Sequence, residues 1–178
     1  MDKFLPIGSI SHGTMRNEDL VPAFLDTLET VDKKHARSIK REYSKALRKL
    51  AGVNVRDYSE EQYSEDLTYL VNEDLFNALS NHTPDYFYFG SHEGDGSDYG
   101  VWISQESIRD DIHDGILFEI SDLSQLDSLL HESSILPKNV ILTNDHGNMS
   151  LYSILLKVED TGNDWKLIME CNEVWSVV

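Results

Sequence analysis

The chain has 178 residues, 40% of them hydrophobic, and carries 15 Lys and Arg against 32 Asp and Glu, a formal net charge of −17. That length gives one domain, or one with a helical extension; the eight Tyr, six Phe and three Trp exclude a disordered acidic tail. The single cysteine, Cys171, excludes an internal disulfide framework and argues for a reducing compartment.

No apolar run approaches the roughly 20 residues of a membrane span. The opening Met-Asp-Lys-Phe-Leu-Pro lacks the layout of a signal peptide. A cytoplasmic protein with no membrane partner is expected. The charge is unevenly placed. Residues 1–56 hold 11 Lys/Arg against 7 Asp/Glu, a net of +4, so the remaining 122 residues carry −21. A phosphate backbone repels such a body, and direct nucleic-acid binding is not expected.

Residues 1–16 show no sustained period and read as an N-terminal arm, with Ile7, Ile10 and Met15 packing on the body. A single α+β domain is expected over 17–178, with a helical part at 17–82 and a sheet part at 85–178. Asn17 before Glu18-Asp19 predicts a helix cap. Apolar residues from Leu25 to Leu50 keep helical spacing up to a stop at Gly52, as one helix or two joined near Val31-Asp32.

Eight cations lie within residues 33–49: Lys33, Lys34, Arg37, Lys40, Arg41, Lys45, Arg48 and Lys49. At about 100° per residue they occupy an arc of about 180°, opposite His35, Ile39, Tyr43, Ala46, Leu47 and Leu50. Glu42 is the one acid in that stretch, so local pairs do not neutralise the face. Lys33, Lys40 and the arginines and lysine at 37, 41, 45 and 48 are the candidate partner-binding residues.

Ser59 followed by Glu60-Glu61-Gln62 predicts a capping box and a second helix to about Leu79. Beyond Pro84, the runs 86–89 and 99–103 predict a hairpin with a long Gly/Asp-rich loop at 90–98. Residues 116–120 predict a third strand and 122–131 a short helix. Residues 140–143, 149–158 and 165–178 predict an antiparallel meander. The expected class is α+β: N-terminal helices followed by a mainly antiparallel β-sheet.

Four segments carry residues capable of chemistry. Loop 92–98 offers His92, Glu93, Asp95 and Asp98 as metal ligands, without the spacing of an EF-hand. Residues Asp110, Asp111, His113 and Asp114 form a second acidic group. Asp145-His146 sits at a predicted turn tip, and His12 and Arg16 stand with Glu18-Asp19 near a helix start. A divalent metal is the one cofactor these groups suggest, and no other is expected. The P-loop, dinucleotide, H-E-x-x-H and G-x-S-x-G patterns are absent, so no catalytic residue is assigned.

The stretches Gly8–Leu20, Phe89–Gly100 and Asp145–Asn148, with Glu173-Val174-Trp175, resemble small conserved proteins of unknown function from bacteriophage genomes. That resemblance implies a host cytoplasm and no particular activity. A shorter likeness to acidic α+β immunity proteins rests on Gly94–Tyr99.

The leading expectation is an acidic, non-enzymatic protein that binds a host protein or its nucleic-acid-binding site, as inhibitor or mimic. The first alternative is a metal-dependent enzyme using loops 92–98 and 110–114. The second is an assembly protein that self-associates through the basic helix, as a homo-oligomer.

Overall fold

The computed structural model describes residues 4–126, 138–160 and 165–177. The fold is α+β, with helices first and largely antiparallel sheets after them. The chain divides into two compact units, Met1–Ser104 and Gln105–Val178. The division falls inside the span read from the sequence as one domain.

The first unit opens with strand β1 (Gly8–Ser11). The N-terminal segment is therefore part of a sheet, and its anchor differs from the one expected. Leu5 is buried and its N–H donates to the His82 carbonyl, while Ile7 and Met15 are exposed. Helix α1 (Asn17–Val31) buries Leu20, Val21, Phe24, Leu25 and Leu28, a stripe at helical spacing. Arg16, not Asn17, holds the N-cap position, without a side-chain cap. Asn17 lies one residue inside, where its amide donates to Thr68.

Asp32 ends α1 and caps α2 (Lys33–Glu42), its carboxylate accepting the His35 N–H at 2.9 Å. A second break at Tyr43 separates α3 (Ser44–Leu50), so the basic segment forms two helices after α1. Gly52, at φ +79°, closes α3: its N–H donates to the Lys49 carbonyl and that of Val53 to the Arg48 carbonyl. This pair of bonds is a Schellman ending, which needs the left-handed conformation that glycine adopts without penalty.

Helix α4 (Glu60–Tyr69) starts at the capping box of Ser59 and Gln62. It runs into a π-helical turn at Leu70–Leu75 and then α5 (Phe76–Ser80). The wider turn keeps Leu70, Val71 and Leu75 buried on one side.

Strands β2 (Phe87–His92) and β3 (Asp95–Ile103) complete a three-stranded antiparallel sheet in the order β1-β3-β2. His92 pairs with Asp95, so the connection is the two residues Glu93-Gly94 and not the long loop expected over 90–98. One sheet face packs on the helices: the Phe24 ring meets Phe89 at 5.0 Å and Tyr99 at 5.7 Å between centroids, both edge-on.

The second unit contains α6 (Gln105–His113), β4 (Leu117–Ile120), β5 (Asn139–Thr143), β6 (Met149–Asp160) and β7 (Trp165–Val177). Strand order is β4-β5-β6-β7, with β5 to β7 forming the expected antiparallel meander. The β4–β5 pair is parallel, which the sequence reading did not foresee. Ile120, Leu126, Val140 and Ile154 form a buried cluster on one face, flanked by half-buried Phe118, Leu142, Tyr152, Met169 and Cys171. Burial pushes the Cys171 thiol above its usual pKa. Of the helix expected over 122–131, residues 127–131 lie outside the described residues. Among the described residues, no helix is long and apolar enough to cross a membrane.

Candidate functional site

The basic segment becomes a surface because its opposite side is pinned in several places. Ala36, Ile39 and Ala46 are buried, and Leu47 and Leu50 are half-buried. The Tyr43 hydroxyl donates to the Asp74 carboxylate in the π turn at 2.6 Å. Burial, then that hydrogen bond, drives the Tyr43 phenol far above its ordinary pKa. His35, placed on the apolar side by the wheel, is exposed; the buried positions of α2 are Ala36 and Ile39.

Two of the eight cations are used internally. Lys40 pairs with Glu29 of α1 at 2.7 Å, which holds the Glu29 carboxyl below its usual range. Lys49 pairs with Glu60 at 2.7 Å and stands 4.9 Å from the Tyr63 ring centroid and 5.7 Å from that of Tyr58. Tyr58 is itself fixed by a 2.6 Å hydrogen bond to Asp66.

The other six, Lys33, Lys34, Arg37, Arg41, Lys45 and Arg48, are all exposed. Among the described residues none of them makes an ion pair within 4 Å. Of the partner-binding residues read from the sequence, Lys40 alone thus points to a structural role, while Lys34 joins the free face. The arrangement offers six ammonium and guanidinium groups on a two-helix scaffold. It suits a surface that supplies several carboxylates or phosphates at once.

A second grouping forms where β1 meets β3. Asp98, with its side chain 17% exposed, accepts a hydrogen bond from Ser9 Oγ and lies 3.6 Å from His12 Nδ1. The Gly13 N–H donates to the Ser97 carbonyl at 3.1 Å. Asp95 accepts from both the Ser97 N–H and its hydroxyl, which lowers its pKa, with smaller contributions from His12 and His92. His12, Asp95 and Asp98, from segments more than 80 residues apart in sequence, thus gather beside one strand end. Serine and histidine both address the carboxylate and not each other, so the group does not form the serine–histidine pair of an activated hydroxyl nucleophile.

His92 turns elsewhere. Its Nδ1 accepts the Gly94 N–H at 3.1 Å and its ring meets Trp102 edge-on at 4.7 Å. Trp102 donates its indole N–H to the Gly90 carbonyl at 3.0 Å. Glu93 is exposed at the turn. Arg16 approaches Asp19 at 4.0 Å, and Thr14 donates to the same carboxylate.

In the second unit, Asp110, Asp111 and His113 lie on α6 and Asp114 directly after it. Asp145 and His146 stand exposed in the turn between β5 and β6, 3.6 Å apart. Asn144 organises that turn by accepting the N–H groups of His146 and Asn148. Among the described residues, no group of three or more His, Cys, Asp or Glu side chains is arranged to hold a metal ion. The metal-enzyme alternative therefore lacks a ligand set there.

Compared with known proteins, the chain matches no protein-family model, no curated protein and no solved structure.

Proposed function

We propose that this chain is a non-enzymatic, partner-binding protein whose α2–α3 face docks on an acidic surface. One observation carries the reading: six exposed cations without ion-pair partners among the described residues, on a face whose reverse side is pinned. A merely solvated face of a protein with net charge −17 has no shortage of carboxylates to pair with. Leaving six cations with no carboxylate within 4 Å among the described residues keeps the surface available for another molecule.

Binding to poly-L-glutamate tests the reading, since the net charge of the protein opposes that contact. The wild type should bind at low salt and release as salt is raised. Arg37→Glu with Arg41→Glu and Lys45→Glu should weaken binding by about tenfold or more. Equal binding by wild type and variant, or none by either, removes the proposal.

A second reading rests on the other unit. Residues 105–178 hold 4 Lys/Arg against 14 Asp/Glu, a net of −10. Such a body suits a basic site that ordinarily holds nucleic acid, where this chain would act as inhibitor or mimic. A pull-down from bacterial lysate should then recover a DNA-binding protein at low salt and lose it at high salt. Recovery of no such protein sinks this second reading.

A further inference from the structure

The acidic unit carries a counterpart to the basic stripe. Glu106 and Asp110 are exposed on α6, four residues apart. Asp114 follows at the same interval, exposed, with its N–H still bonded to the Asp110 carbonyl at 2.9 Å. Lys33, Arg37 and Arg41 repeat the same spacing along α2. A rise of about 1.5 Å per residue sets successive charges about 6 Å apart on both helices. Among the described residues none of the six makes an ion pair within 4 Å. Arg109, the cation of α6, folds back along its own helix, its Nε donating to the Gln105 carbonyl at 3.1 Å.

We propose that copies of this chain associate head to tail, the α2 stripe of one copy lying against the α6 stripe of the next. The proposal rests on the α2–α3 face being a docking surface and names its partner as a second copy. Matching period and opposite sign let three pairs form together, where stripes of unequal spacing would align one or two. Two different surfaces meet, so each added copy leaves one basic and one acidic stripe open. Assembly then grows with concentration unless the chain of copies closes into a ring. Exposed pairs contribute little singly, so the contact is weak and sensitive to salt.

Sedimentation velocity on the full chain tests this by charge exchange. The wild type should associate as concentration rises at about 50 mM salt and dissociate at about 0.5 M. Arg37→Glu with Arg41→Glu should weaken association at least tenfold, and so should Asp110→Lys with Asp114→Lys. An equal mixture of the two variants should assemble again. In the mixture each reversed α2 meets a reversed α6, and each native stripe meets a native one. If the glutamate variant melts early, Arg37→Gln with Arg41→Gln replaces it, with the same loss expected.

A wild type that stays monomeric, single variants that assemble like the wild type, or a folded mixture that fails to assemble would overturn the inference. Poly-L-glutamate binding on the same samples separates the two levels. A wild type that binds the polymer yet stays monomeric removes the inference alone; one that does neither removes the docking surface as well.

Discussion

At the scale of single residues, the tightest constraint is Gly100, opposite Ser9 on β1 and Gly90 on β2. A Cβ there would stand 2.3 Å from the Gly8 carbonyl oxygen and 2.8 Å from the Trp102 ring. Backbone cannot yield as a flexible side chain does, so β1 would have to leave the sheet. Gly100→Ala should therefore cost about 1–3 kcal/mol and part Ser9 and His12 from Asp98, to which β1 delivers them. Gly96→Ala is the control: its Cβ would meet nothing within 4 Å, so its melt should match the wild type. Equal melting of both variants would show that β1 is not held where the sheet places it. None of this was legible in the sequence, where Gly100 is one glycine among ten and its neighbour Gly8 lies 92 positions away.

Among the elements, the helices were legible and the strand connections less so. The capping box at Ser59 and the stop at Gly52 both rest on local bonds, which is why spacing and residue type located them. The spacing allowed one helix or two joined near Val31-Asp32. The structure breaks there, where Asp32 both ends one helix and caps the next, and again at Tyr43, which the spacing does not mark. The π turn at 70–75 leaves no mark in the sequence, since its apolar residues also fit a regular helix. The parallel β4–β5 pair depends on distant chain segments and leaves no local mark. The free basic face was visible on a wheel, but the internal use of Lys40 and Lys49 depends on Glu29, Glu60 and two tyrosines brought in by folding.

Asp32 yields a pH prediction for its element. Hydrogen bonds from the His35 and Lys34 N–H groups hold its carboxyl below the usual carboxylate range. A folded-state pKa below the unfolded one adds stability that is present above the unfolded pKa. That stability is lost as pH falls through the folded value. Asp32→Ala should cost about 1 kcal/mol at neutral pH. Asp32→Asn keeps an acceptor and should flatten the acid limb of the melting curve below about pH 4. An acid limb identical in wild type and asparagine variant would rule out this cap as its source.

For the whole molecule, the free charge and the buried core reside in different places. The core is built from residues such as Phe24, Leu70 and Val101 in one unit and Leu117, Ile141 and Leu151 in the other, all essentially inaccessible. The six free cations lie outside both cores. The charge-reversed variants should accordingly melt within a few degrees of the wild type, because exposed charges are worth about 0–1 kcal/mol each. A collapsed melting temperature would make the basic face scaffolding. The first unit also gains a handedness of approach from that face. Its cations gather on α2 and α3 while Glu60, Glu61, Glu65 and Glu73 sit on α4 and the π turn. An electric field acting on charges so divided exerts a torque as well as a force. Within a Debye length of about 8 Å, a charged neighbour turns this unit before touching it, and so selects the orientation of first collision.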